Sequence, residues 1–227
     1  MSPTKILLAI CLITASNLWA QSGSSLDLKW EPKLSFTAKL SPRWTYNIQM
    51  MGLQFFENTD PLEETPTLER IDFRGYLSYR FLRGAKLTGG YMYRKTNPLH
   101  LESGFEHRLS AFYSFQGYAQ AWRLAHRFIT EMRFRPTNNE GRLRYRFSGD
   151  IPLQGEKLDV GELYFLSADE LVLSIGDDYL LLENRFSASL GWQISKIFKA
   201  EIGGEFRLRN PQTPNALHIV TNCYINL

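Results

Sequence analysis

The chain has 227 residues, 44% of them hydrophobic and 14% aromatic, with 26 Lys and Arg against 23 Asp and Glu. The formal charge of +3 is a small excess without a basic tail, which gives no argument for a nucleic-acid partner. Cys11 and Cys223 are too few for a disulfide framework.

Residues 1–20 read as a cleaved secretory signal, leaving residues 21–227 as the mature domain. Lys5 supplies the positive start, Ile6 to Ala15 a short apolar run, and Leu18-Trp19-Ala20 a small residue at the cut. The run is about half the length a spanning helix needs, so an N-terminal anchor is the lesser alternative. Cys11 lies inside it and leaves with the peptide, so Cys223 has no intramolecular partner. Beyond Ala20 no apolar stretch approaches the roughly 18 residues of a transmembrane helix. The expectation is one large β domain, either a periplasmic barrel or sandwich or an outer-membrane barrel.

Alternation decides between these. Successive side chains of a strand point to opposite faces. From Tyr118 to Arg135 the even positions are mostly apolar (Tyr118, Trp122, Leu124, Phe128, Met132, Phe134). The odd positions carry Arg123, Arg127, Glu131, Arg133 and Arg135. In the next segment Leu143, Tyr145 and Phe147 alternate with Arg142, Arg144 and Arg146. Leu182 to Ile194 and Phe198 to Arg209 repeat the pattern, and further segments start near Leu26, Trp44, Glu69, Lys86, Gly104, Val160 and Ala216.

Soluble sheets alternate too. However, these segments are longer than the 5 or 6 residues usual for soluble strands, and about 9–11 suit a tilted membrane strand. Aromatics also recur near segment ends, at Trp44, Phe81, Phe115, Tyr118, Phe134 and Phe198, where an interfacial girdle would place them. The fold expected is therefore all-β, a transmembrane antiparallel up-and-down barrel of about 10–12 strands in the bacterial outer membrane.

Short links are expected at Ser41-Pro42-Arg43, Leu82 to Ala85, Gln116-Gly117 and Ser195 to Ile197. Longer ones fall at 57–68, 96–102, 136–140, 176–181 and 210–215. From Trp44 onward these give ten strands, and Leu26 to Leu40 makes an eleventh, whereas single-chain bacterial barrels usually have an even number. Three resolutions are open: a first segment split at Pro32, a hairpin hidden between Val160 and Tyr179, or an N-terminal segment that is not a full strand.

Several short motifs carry a resemblance. They are Trp30 in the N-terminal segment, Glu131-Met132-Arg133, the run Arg142-Leu143-Arg144-Tyr145-Arg146, and Glu183-Asn184-Arg185-Phe186. On these the chain resembles an uncharacterised outer-membrane barrel family of Bacteroidota, known mainly as a domain of unknown function. The resemblance implies location and fold, and no activity.

Catalysis has little support in the residues. There is no G-x-S-x-G elbow. His107 and Ser110, three apart on a strand, face opposite sides. His126 falls on the apolar face, His100 lies in a loop, and His218 points inward. Asp177-Asp178 and Glu63-Glu64 are adjacent loop acids without the spacing of a calcium loop. No catalytic residue, metal or cofactor is therefore expected, and the chain is read as a non-enzyme.

The charged face is more informative. Parity places Arg123, Arg127, Arg133, Arg142, Arg144, Arg146, Arg185 and Arg207 inside with Glu131, Glu183 and Glu205, and these are the candidate lumen lining. Arg70, Arg74, Arg80, Arg94, Arg108, Arg209, Asp72, Glu106, Glu162, Glu170 and Glu201 fall on the same side. Mixed charges in a small barrel are expected to pair, because an isolated buried charge costs several kcal/mol. The leading expectation is a structural protein or accessory subunit of an envelope assembly, with its interior filled by an Arg/Glu network. Its partners are then membrane lipid and other envelope proteins. The alternatives are a narrow channel or pocket for small anions, since Arg rings favour anionic solutes, and an outer-membrane lipid hydrolase.

Overall fold

The computed structural model describes residues 26–55, 67–100, 103–209 and 215–227. The expected signal segment, Cys11 and Glu63-Glu64 lie outside them. Eleven strands form one closed barrel: β1 (Leu26–Lys39), β2 (Trp44–Phe55), β3 (Thr67–Leu82), β4 (Ala85–Thr96), β5 (Gly104–Ala119), β6 (Trp122–Phe134), β7 (Asn139–Pro152), β8 (Leu163–Ile175), β9 (Leu180–Gln193), β10 (Phe198–Leu208) and β11 (Asn215–Asn226). No described helix is long and apolar enough to cross a membrane, which says nothing of crossing by strands.

The strand number resolves in none of the three ways left open. The first segment is unbroken at Pro32, no hairpin hides after Val160, and β1 is a full strand. Closure is instead made by β1 and β11 running parallel, from Leu26 opposite Asn215 to Thr37 opposite Asn226. Every other neighbouring pair is antiparallel. An even number is required only where all pairs are antiparallel. Strands β1 and β11 share no hairpin, so nothing in the chain connection forbids a parallel seam, and an odd barrel closes.

The seam gives a direct prediction. Leu34 lies opposite Cys223, and neither points into the interior. Adjacent strands sit about 4.8 Å apart, within reach of a disulfide. Leu34→Cys is expected to oxidise to an intramolecular bridge with Cys223, seen as a gel shift reversed by reductant. The inward-facing variant Ser35→Cys is expected to stay reduced. A bridge with Ser35→Cys but not with Leu34→Cys contradicts the seam register.

Two expectations about links need correction. Gln116-Gly117 is not a turn; β5 continues to Ala119, and the turn is Gln120-Ala121, with Gln120 at a φ of 58°. Across this two-residue turn Ala119 pairs with Trp122, so inward positions change from even to odd. Tyr118 therefore lies on the inner side at the rim, opposite Arg123, and does not continue the apolar face of β6. The second correction concerns link length. Links 40–43, 83–84, 120–121, 153–162 and 194–197 share one end, so a long link, 153–162, sits among the short turns. At the opposite end the β8–β9 link is only 176–179. The Arg83-Gly84 turn depends on glycine: φ is +86°, and a Cβ there would lie 2.6 Å from the carbonyl of Gln116.

The side chains are distributed inside out relative to a soluble barrel. Leu109, Phe128, Met132, Leu143, Leu190, Ile202 and Trp192 are exposed on the outer surface, while Asp72 and Glu170 are 0% and 2% exposed inside. Asp169 is an exception, an outward carboxylate halfway along β8 that accepts a hydrogen bond from Asn184 at 2.9 Å.

Candidate functional site

The interior is the site, and its wall follows from the register. An eight-stranded barrel is just filled by its own side chains, whereas 16 to 18 strands leave a channel. Eleven strands lie between, so closing the interior takes the longest side chains available. Arginine meets that need and also demands counter-charges.

Those counter-charges are present. Glu106 on β5 meets Arg108 at 2.6 Å, Arg133 at 3.0 Å and Arg135 at 2.7 Å. Glu131 on β6 meets Arg108 at 3.3 Å and Arg144 at 2.9 Å. Glu140 opens β7 and holds Arg133 at 2.7 Å and Arg142 at 2.5 Å, while the Tyr179 hydroxyl donates to it at 2.5 Å. Glu170 takes Arg144 at 2.7 Å and lies within 3.8 Å of Arg146 and 3.7 Å of Arg185. Around the wall, Glu183 meets Arg185 at 2.5 Å and Arg209 at 3.6 Å, and Glu205 meets Arg207 at 2.6 Å. Glu31 of β1 then joins Arg207 and His218 across the seam and Arg70 of β3 on its other side. Asp72 completes the ring, bridging Arg74 and Arg94, each at 2.7 Å.

These pairs concentrate toward the end where Leu26 begins and the β4–β5, β6–β7 and β8–β9 links lie. Arg135 and Tyr179, both in links, reach in to cap Glu106 and Glu140. At that end the interior holds a buried network of charge pairs whose lone pairs and protons are largely satisfied by one another, the condition under which buried ions are tolerated.

Most residues expected inside sit in this network: Arg133, Arg142, Arg144, Arg185, Arg207, Glu131, Glu183 and Glu205 are all in ion pairs. Arg123 pairs separately with Asp150 at 2.9 Å, and its side chain is 43% exposed. Arg127 has no ion pair among the described residues, and its ring contact is with Phe112 at 6.0 Å. Glu162 is misplaced by parity: it lies in the β7–β8 link, where its carboxylate accepts the amide of Asp159. Residues that sequence reasoning missed include Glu140 and Glu31. Glu140 was assigned to a loop, yet it shares the parity of Arg142 and Arg144, so extending the alternation by one pair finds it. Glu31 sits beside Pro32 in a segment whose pairing partner, β11, no local signal identifies.

The histidines scatter. His107 faces outward and its Nδ1 bonds the Tyr91 hydroxyl at 2.7 Å, while Ser110 on the inner side donates to the Gly90 carbonyl at 3.3 Å. Likewise His126 joins Tyr145 in an outer aromatic cluster. His100 is exposed in the β4–β5 link. His218 is 1% exposed and contacts Glu31 through Nδ1 at 3.2 Å, with no hydrogen-bond partner at Nε2 among the described residues. Among the described residues no group of three His, Cys, Asp or Glu side chains is arranged to hold a metal.

A family model described as "Protein of unknown function (DUF2490)" matches residues 19–218. No curated protein and no solved structure matches.

Proposed function

The chain belongs to the DUF2490 family of unknown function, and from that premise we propose that it is a non-enzymatic outer-membrane barrel whose charge-plugged interior makes it a structural protein or accessory subunit. The observation that carries this reading is the inversion of polarity. Strands of 11 to 16 residues expose Phe128, Leu143, Leu190 and Ile202 outward and keep Asp72 and Glu170 dry within. In water such an outer face is an aggregation hazard, and in a bilayer it is the required surface. Aromatic residues at Trp44, Phe81, Phe134 and Phe198 then fall at the two interfaces. The resemblance to a Bacteroidota family belongs to this same reading.

A bilayer also gives Asp169 a meaning. A carboxylate halfway along a lipid-facing strand is costly, and a neighbouring envelope protein seated on Asp169 and Asn184 removes that cost. This supports the accessory-subunit form of the proposal.

The plug predicts electrical silence. Reconstituted in planar bilayers, the protein is expected to show no stepwise conductance. Anion-selective steps that disappear with Arg144→Ala would replace this reading with a pore.

A further inference from the structure

The other half of the interior breaks the pairing rule. One row of cross-strand partners runs from β3 to β7: Arg80 opposite Lys86, Lys86 opposite Ser114, Ser114 opposite Arg127, and Arg127 opposite Arg146. Like charges directly opposite each other across strands destabilise a sheet. Elsewhere in this barrel such pairs are relieved by acids, as Glu106 and Glu131 relieve Arg108 beside Arg133. In this row the nearest acid is Glu170, 3.8 Å from Arg146. Among the described residues Arg80, Lys86 and Arg127 have no ion pair, and the charged neighbours that act on Lys86 are Arg127, Arg80 and Arg123, all cations.

Two independent observations point to a ligand. Ser114 is 8% exposed, and its hydroxyl, on the inner side between Lys86 and Arg127, has no hydrogen-bond partner among the described residues. Leaving a buried hydroxyl unpaired costs about 1–3 kcal/mol, so such groups normally have a partner. Arg127 and Lys86, in contrast, remain exposed although they face inward, so solvent enters this half from the short-turn end. Toward the plug the pocket has an aromatic boundary. Tyr76 and Phe112 pack with ring centroids 5.4 Å apart, and Tyr76 lies against Gly90, where a Cβ would come within 2.5 Å of its ring.

We propose that the short-turn half of the barrel is a blind vestibule that binds a phosphate-type dianion, held by Arg80, Lys86 and Arg127 and accepting a hydrogen bond from the Ser114 hydroxyl. Several fixed cations around one hydroxyl donor suit a doubly charged oxyanion better than a single carboxylate, because charge-assisted hydrogen bonds are strongest where several converge. A free phosphate, a phosphorylated solute and a lipid headgroup share this chemistry. The pocket deepens the reading of the interior given above, yet it does not need the membrane. Only the expectation that this short-turn mouth faces the periplasm, where outer-membrane barrels place their short turns, rests on the outer-membrane location.

The test is calorimetric titration of the purified full barrel in phospholipid-free detergent, with inorganic phosphate as the probe and chloride at equal ionic strength as the control. Saturable phosphate binding is expected, weakened at least tenfold by Arg127→Gln and several-fold by Ser114→Ala, and unchanged by Lys196→Gln in the β9–β10 link. Ser114→Ala removes one unpaired hydroxyl and leaves the fold intact, so it reports on the site even if Arg127→Gln fails to fold. Saturation by phosphatidic acid in mixed micelles, sensitive to the same variants, supports the site and assigns it to a headgroup. Phosphate acting no differently from chloride, with phosphatidic acid equally without effect, overturns the inference. So does binding that Ser114→Ala and Arg127→Gln leave unaltered. Loss of binding in a protein still found in the outer membrane sinks this inference alone. Retained binding in a soluble protein sinks only the membrane reading.

Discussion

Glu106→Gln is expected to lower the unfolding free energy by about 3–5 kcal/mol, the cost of removing one partner from a buried ion pair. Glu106 holds Arg108, Arg133 and Arg135 at once, so its neutralisation leaves the three guanidinium groups of β5, β6 and the β6–β7 link with only Glu131 and Glu140 as counter-charges. Arg108 and Arg133 are almost wholly shielded from water and cannot recover that energy by hydration. The measurement is the urea midpoint of refolded protein in detergent micelles. Glu162→Gln in the β7–β8 link is the control and is expected to change stability by less than about 0.5 kcal/mol. A comparably small change for Glu106→Gln would mean that water fills the interior and the network is loose.

The second large effect concerns the outer surface. Ile202 is 59% exposed near the middle of β10, opposite Leu190 on β9. On the membrane reading, Ile202→Arg places a cation near the bilayer midplane at a cost of about 2–4 kcal/mol. On a soluble barrel the same change is an exposed surface substitution, within about 0.5 kcal/mol. Unfolding of wild type and variant in lipid vesicles separates the two, with Phe128→Arg on β6 as an independent position. Indifference at both sites argues against a lipid-facing surface.

Much of this was legible in the residues. Long segments such as Phe198 to Arg209 identify strands by parity alone, because a period of two admits no other regular structure. Parity also placed Arg108, Arg133, Arg144 and Glu131 on the inner side before any pairing was known. It failed where its assumptions failed. Tyr118 was carried onto the apolar face because the alternation ran unbroken through Gln120-Ala121, whose positive φ at a non-glycine residue leaves little trace in sequence. Glu140 was lost to a loop because Pro136 to Asn138 look like one. The parallel β1–β11 seam joins residues such as Glu31 and His218, far apart in the chain, and no local pattern records such a contact. Nor could parity show that Arg127 and Lys86 have no ion pair among the described residues while Arg144 has two. That difference belongs to the three-dimensional arrangement, and it separates the ion-paired end of the interior from the row of unpaired cations.

The proposed outer-membrane location is tested most directly by fractionation of expressing cells followed by gel electrophoresis of heated and unheated samples. Recovery in the outer-membrane fraction is expected, with a compact, faster-migrating form before heating that shifts on boiling. Recovery as a soluble periplasmic protein, with the same mobility in both lanes, would contradict it.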